Sequence, residues 1–215
     1  MRYKTCIFDF DFTLADANSG IVESVNYALN QAGLKPKSSD DIRKTVGMAL
    51  KDFSHELTGM SDKQASDLFI SNFMFMADKV MTDNTFLFND SINVLLTLKQ
   101  NGCNTAIVTN KPHYRIDEVL FKYGITELID CIVGHDDVEV AKPSPEGLLK
   151  AIDHFGNDKC SVLYVGDSLI DANTAANASV DFAAVLTGTT RKEEFLMLPH
   201  IYIANNLTEL IQYIC

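Results

Sequence analysis

Four short stretches of the chain gather carboxyl, hydroxyl and ammonium groups: Asp9-Phe10-Asp11-Phe12-Thr13-Leu14, Thr109-Asn110-Lys111 and Gly166-Asp167-Ser168-Leu169-Ile170-Asp171 directly behind apolar runs, and Lys142-Pro143-Ser144-Pro145 ahead of a helical segment. These residue types suit phosphoryl transfer. Asp9 and Asp167 together can bind one Mg²⁺, a hard ion that takes oxygen ligands and keeps several waters. A carboxylate can attack phosphorus and so divide one difficult displacement into two. A second carboxyl two residues on, Asp11, can protonate the leaving oxygen and then activate water. The Thr109 hydroxyl and the Lys142 ammonium can hold phosphoryl oxygens and offset developing charge. Taken singly, each residue has a plainer reading: Thr109 ends a strand, Lys142 is a solvated lysine, Asp171 is an acid at a helix N-terminus. The joint pattern is what points to a site.

Such groups must be brought together by regular elements. β-rich runs are predicted at residues 5–8, 105–109, 131–133, 162–165, 183–186 and 201–203. Most are continuously apolar, as in strands covered on both faces. Helical stripes lie between the later runs, at residues 89–100, 113–123 and from Pro145, capped by Ser144, to about Gly156. This alternation predicts an α/β fold with a doubly wound parallel sheet, a Rossmann-like core. In such sheets ligands sit at the carboxyl ends of the strands, where all four stretches fall. Residues 16–83 break the rhythm. Ile21, Val25, Ala28, Leu29 and Ala32 form a stripe ending at Gly33, and Ser61 with Gln64 reads as a capping box ahead of Ala65, Phe69, Phe73, Met76 and Val80. The expectation is an α-helical cap domain over 16–83, with Phe73, Phe75 and Met76 in its packing, inserted into a core of 1–15 and 84–215.

Composition narrows the class. The 215 residues include 29 acidic and 18 basic, a formal net charge of −11, and 47% are hydrophobic. That is too apolar for a disordered chain. A pI near 4.8 argues against nucleic acid and against a polybasic membrane-surface protein. No apolar stretch approaches the roughly 20 residues that span a bilayer, and no targeting signal is visible. Five cysteines without CxxC spacing, four of them (Cys6, Cys103, Cys131, Cys160) in or beside apolar runs and Cys215 terminal, read as buried free thiols in a reducing compartment. The expectation is a cytoplasmic protein, a monomer or weak homodimer.

In order and spacing these stretches resemble the four motifs of the haloacid dehalogenase-like hydrolase superfamily, close to its phosphoglycolate-phosphatase-like branch with a small helical cap. The matches are Asp9 to Leu14, Val108-Thr109-Asn110-Lys111, Ala141-Lys142-Pro143-Ser144-Pro145 and Gly166 to Asp171. The resemblance implies that Asp9 is the nucleophile and a Mg²⁺ ligand. Asp11 is then the acid/base, with its backbone carbonyl on the metal. Thr109 and Lys142 bind the phosphoryl group, Lys142 also holding Asp9, while Asn110 joins the phosphate cradle. Asp167 ligates Mg²⁺ and Asp171 supports it. The implied sheet has five or six strands in the order 5-4-1-2-3. Gly47-Met48-Ala49-Leu50 is similar to the family's substrate-specificity loop. Phe12 stands where the family usually has Gly; an ordinary backbone is expected there, with the ring toward the cap, narrowing the way to the site. Asn89-Asp90 replaces a common Pro-Gly, with Asp90 as a helix N-cap. The implied function is a Mg²⁺-dependent phosphatase acting on a small phosphorylated metabolite, phosphoglycolate-like, through an aspartyl-phosphate. The alternatives are a phosphoglucomutase-like phosphotransferase and a non-catalytic phosphate-binding or interaction protein. Asp11 argues against a dehalogenase, whose branch lacks the second Asp.

Overall fold

The structure, a computed structural model, describes residues 2–214. It divides into two compact units, Met1–Ala15 with Leu87–Cys215 and Asp16–Phe86. The chain opens with strand β1 (Thr5–Phe8), buried throughout, and a two-residue strand β2 (Ala15–Asp16).

The helical unit follows. Helix α1 (Asn18–Gln31) buries the stripe Ile21, Val25, Ala28 and Leu29, and the chain turns out of it at Gly33 with φ +69°. Helix α2 (Ser39–Arg43) is capped by the Ser38 hydroxyl, which accepts the Asp41 N–H. Helix α3 (Leu50–Thr58) ends at Gly59, and helix α4 (Lys63–Val80) packs against α1. The cap of α4 is Asp62, whose carboxylate accepts the Ala65 N–H at 2.9 Å, and not Ser61. The carboxylate one residue on meets the orphan N–H of the first turn. Phe53, Phe69 and Phe73 form the aromatic centre of this unit, with Ile42, Leu57 and Met81 around it. Phe75 departs from the expected packing. It is exposed on α4, where Lys79 Nζ lies 3.8 Å from its ring centroid. The unit ends later than residue 83, because Asn84 and Thr85 remain tied to α4 through the Val80 and Met81 carbonyls.

From strand β3 (Phe86–Leu87), which pairs with β2, the chain alternates strand and helix: α5 (Ser91–Gln100), β4 (Asn104–Val108), α6 (His113–Tyr123), β5 (Cys131–Val133), α7 (Glu146–Phe155), β6 (Val162–Gly166), α8 (Leu169–Ala178), β7 (Asp181–Val185), α9 (Lys192–Phe195), β8 (Tyr202–Ala204) and α10 (Leu207–Ile214). Six strands form one parallel sheet in the order β5-β4-β1-β6-β7-β8. Successive residues of a strand face opposite sides, and the core divides accordingly. Cys6, Phe8, Ile107, Leu163 and Val165 meet α5, α6 and α10 on one face. Ile7, Ala106, Val108, Tyr164 and Phe182 meet α7, α8 and α9 on the other. The fold is therefore doubly wound α/β, with the strand order reversing at β1.

Local details differ from the sequence reading. Pro145 occupies the cap position of α7 rather than its first turn, and the Ser144 hydroxyl accepts the Glu146 N–H at 3.3 Å. Asp90 precedes α5 but does not cap it. Its carboxylate instead accepts the N–H and hydroxyl of Thr208 at 2.9 and 3.1 Å, in the first turn of α10. The thiols of Cys6 and Cys103 are buried and in no disulfide, but Cys131 is only half-buried and Cys160 exposed, since the latter lies in a short turn ahead of β6. Cys215 lies outside the described residues. Among the described residues no helix is long and apolar enough to cross a membrane.

Candidate active site

The switch point is set by β1 and its two neighbours. Phe8 lies beside Ile107 of β4 and Val165 of β6, so the residues just beyond, Asp9, Thr109 and Asp167, emerge together at the carboxyl edge. Asp9 stays in register there through its N–H to the Val165 carbonyl, and Thr109 through its N–H to Val133. The third carboxylate comes from the first turn of α8. Asp171 Oδ2 accepts from the Ser168 N–H and hydroxyl, and the Ser168 hydroxyl in turn caps the helix. Two glycines make room. A Cβ on Gly166 would fall 2.4 Å from the Asp171 side chain, and one on Gly188, after β7, would fall 1.9 Å from Asp167 Oδ2.

Lys142 ties this cluster together. Its Nζ lies 2.7 Å from Asp9 Oδ1, 2.7 Å from Asp171 Oδ1 and 3.0 Å from the Tyr164 hydroxyl. An ammonium has three donors, so all are engaged. Burial alone pushes such an ammonium down, but the Asp171 and Asp9 carboxylates overcome it and hold Lys142 well above the usual lysine range. Burial pushes the Asp9 carboxyl up to about 6 against the pull of Lys142, with Asp171 and Asp11 adding to the rise. Burial, then Asp171 and Asp9, also hold Asp167 well above the usual carboxylate range, although its Oδ1 accepts from the Thr13 hydroxyl at 3.1 Å.

These shifts bear on whether a cation fits. Asp9, Asp167 and Asp171 are buried, and each offers an oxygen within 4.8 Å of the other two. One ammonium faces three carboxylates, which leaves buried negative charge that a further cation would offset. The donors are all oxygen, the set a hard divalent ion such as Mg²⁺ prefers. The residues fit that ion.

The remaining expected residues are placed as follows. The Asp11 carboxylate lies outside the three-carboxylate group and pairs with Lys111, at 2.9 and 2.7 Å. Thr109 is buried at the strand end, where its hydroxyl accepts the Lys111 N–H at 3.3 Å. Asn110 clamps the Lys142 backbone, accepting its N–H at 2.9 Å and donating to its carbonyl at 3.2 Å. Gly47 belongs to the helical unit, between α2 and α3, with φ +88°. Phe12 contradicts the expected ordinary backbone, since its φ is +60°. The reason is the tight loop that carries it. The Phe10 carbonyl accepts from Thr13, Leu14 and Ala15, the Phe12 N–H bonds the Ala15 carbonyl, and the Phe12 carbonyl accepts from the Thr187 hydroxyl. A non-glycine residue in this region costs about 1–2 kcal/mol. Burying the Phe12 ring, only 2% exposed, offsets that by about 1.5–3 kcal/mol.

Sequence reasoning did not single out Tyr164, Thr13, Lys111 or Gly188. A tyrosine inside the apolar run of β6 was the available signal, because a buried phenol needs a partner. Tyr164 finds its partners in Lys142, Asp171 and the Val108 carbonyl.

Carboxylates at the switch point of a doubly wound parallel sheet mark a ligand site of the α/β class, and comparison with known proteins gives the family. The sequence pattern of the haloacid dehalogenase-like hydrolases matches residues 6–185. The chain is 33% identical over 198 residues to a phosphoglycolate phosphatase of Rhodobacter capsulatus, covering 90% of this chain and 89% of that one. It is 30% identical over 190 residues to one of Xanthomonas campestris, covering 87% and 86%. A solved structure from Bacteroides fragilis, assigned to the haloacid dehalogenase-like hydrolases, superposes with a TM-score of 0.94 at 38% identity, covering 97% of this chain and 99% of that one. The protein belongs to the haloacid dehalogenase-like hydrolase family and is a hydrolase of its phosphatase kind.

Proposed function

We propose that the protein is a Mg²⁺-dependent phosphatase that hydrolyses a small phosphorylated metabolite, phosphoglycolate-like, through an aspartyl-phosphate on Asp9. The observation that carries this reading is the form of the Asp9 contact. Lys142 holds Oδ1, while Oδ2 makes no hydrogen bond among the described residues. One oxygen is fixed and the other is left to attack, which is the arrangement an in-line nucleophile needs.

In this reading Oδ2 of Asp9 forms a bond to phosphorus as the ester oxygen leaves, and Asp11 gives that oxygen a proton. Asp11 then takes a proton from the water that cleaves the aspartyl-phosphate, releasing inorganic phosphate and restoring Asp9. Thr109 and Lys142 bind phosphoryl oxygens, Lys142 exchanging one of its present contacts to do so, and Asn110 keeps Lys142 in place. Asp9, Asp167 and Asp171, with the Asp11 carbonyl, would hold Mg²⁺. When bound, the ion offsets the charge of the carboxylates and of the phosphoryl oxygens. The helical unit, residues 16–86, serves as the cap that selects the substrate, with Gly47 in its specificity loop. Phe12 contributes to the same selection. The free thiols fit a protein of the cytoplasm.

The test is a panel of phosphorylated metabolites assayed for phosphate release with Mg²⁺ and with EDTA. Phosphoglycolate should be among the substrates turned over, and EDTA should stop the reaction. No release from any member would overturn the reading, and accumulation of a bisphosphorylated sugar would replace it with phosphotransfer.

A further inference from the structure

Each aspartate of the Asp9/Asp11 pair has its own buried lysine, and the two contacts differ in form. Lys142 takes one oxygen of Asp9. Lys111 straddles both oxygens of Asp11, with Nζ at 2.9 Å from Oδ1 and 2.7 Å from Oδ2. The Lys111 side chain is 6% exposed and that of Asp11 11%. A lysine at a loop so near the surface would ordinarily reach for water, since burying an ammonium is costly unless it is paired. Lys111 is held back by its own backbone. Its N–H donates to the Thr109 hydroxyl at 3.3 Å, its carbonyl accepts the His135 N–H at 3.0 Å, and Pro112 follows directly, ahead of α6. The ammonium is thus anchored to the end of β4, and the Asp11 carboxyl is oriented by it.

We infer that Lys111 is the positioning residue for Asp11, setting the direction in which that carboxyl presents its proton to the leaving oxygen. This rests on Asp11 as the acid/base of the proposed reaction. When Asp11 carries the proton, one of its oxygens still accepts from Lys111, and the other bears the proton and faces the ester. The proton passes to the leaving oxygen as the bond to phosphorus breaks, and Lys111 keeps all three of its own. Lys111 acts through Asp11, because its contact is with that carboxylate and not with Asp9.

The experiment compares two substrates that differ in need for a proton: phosphoglycolate, whose alkoxide leaves poorly, and 4-nitrophenyl phosphate, whose phenolate leaves unaided. Read as leaving-group release in a single turnover, before the water step in which Asp11 serves both substrates alike, Lys111→Met should slow phosphoglycolate by about 100-fold, the scale of general-acid catalysis, and leave 4-nitrophenyl phosphate within a factor of a few. Lys111→Arg should recover much of the loss. In an Asp11→Asn background the added Lys111→Met should cost nothing further on either substrate. That double variant lacks both charges, so it keeps the comparison readable if Lys111→Met alone unfolds. Further slowing of the double variant relative to Asp11→Asn would overturn the inference. So would equal loss of that single-turnover rate on both substrates with Lys111→Met, or weaker substrate binding at an unchanged rate. If Asp11→Asn itself fails to discriminate between the substrates in that single-turnover release, Asp11 is not the acid and the inference falls with that reading. If Asp11→Asn discriminates and Lys111→Met does not, only the inference falls.

Discussion

The two units of this protein bury different kinds of polar group. In the α/β unit the buried set includes Asp9, Lys111, Arg115, Lys142, Asp167 and Asp171. In the helical unit the described buried polar side chains are hydroxyls: Ser24, Thr45, Ser54 and Thr85. Three of these return their proton to a carbonyl within the same turn, to Gly20, Ile42 and Met81. Such a bond satisfies a hydroxyl locally at almost no desolvation cost. Buried charges need partners from elsewhere in the fold, because removing one from water costs several kcal/mol. The difference teaches where chemistry is to be sought. A core that needed only stability would use apolar side chains, as the helical unit does around Phe53, Phe69 and Phe73.

Among the buried charges of the α/β unit, Asp9 carries the largest expected effect. Asp9→Asn should reduce phosphate release by roughly 10⁴-fold or more, the scale seen when a nucleophile is removed. The thermal midpoint should be unchanged or higher, because the amide replaces a carboxyl that burial holds at about 6. A variant with wild-type turnover would place the chemistry elsewhere.

Next in size is a pair of core substitutions, one in each unit. Lys142→Met leaves Asp9 and Asp171 without their ammonium and should destabilise the metal-free protein by about 3–5 kcal/mol. Phe69→Ala, at a side chain 1% exposed in the helical unit, should cost about 3–5 kcal/mol through the cavity it leaves. Urea midpoints with and without Mg²⁺ separate the two. The ion should return much of the stability lost in Lys142→Met and none of that lost in Phe69→Ala. Equal recovery in both would mean that the ion acts away from the carboxylates.

The smallest effect is the pH dependence of stability without metal. Asp9 is raised from 3.8 to about 6 and Asp167 is raised in the same direction, burial being the first cause for each. Between those values the folded chain binds more protons than the unfolded one, so stability falls as pH rises through the window. In EDTA the protein should therefore be more stable near pH 5 than at pH 7, by on the order of 1 kcal/mol from Asp9, with Asp167 adding in the same direction. Below about pH 4 the trend should reverse, because the unfolded chain then takes up a proton at Glu146 that the folded chain, holding it at about 2 through Lys150 and the Glu139 and Val140 N–H groups, does not. Mg²⁺ should flatten the upper part of the profile, and so should Asp9→Asn.

Much of the site was legible in the residues themselves. The carboxyl and hydroxyl groups at 9, 11, 109 and 167 stand just behind apolar runs, a strand followed by a polar turn being a local pattern, and Lys142 and Asp171 stand beside helical stripes. The helical stripes of α1, α4 and α6 were readable for the same reason, since their period belongs to one segment. Legibility failed where a residue had a choice of partner. Asp62 rather than Ser61 caps α4, and Asp90 serves α10 instead of α5. Asp62 takes the Ala65 N–H one residue further along than the local pattern suggests, and Asp90 takes donors of Thr208, 118 residues away, which no local pattern records.

The alternation of strand and helix, the helical segment behind the first strand and the chemical types available at the strand ends are all written locally along the chain. Periodicity and spacing are properties of short segments, and they survive without knowledge of the fold. The tertiary structure alone decided which of these groups meet. Lys111 reaches Asp11 across 100 residues of chain, Lys142 reaches Asp9 across 133, and Gly188 leaves the space that Asp167 fills. It also placed Phe12 in a left-handed backbone that its residue type disfavours. Those outcomes follow from strand order and register, which bring distant segments within hydrogen-bond reach and which no local pattern records.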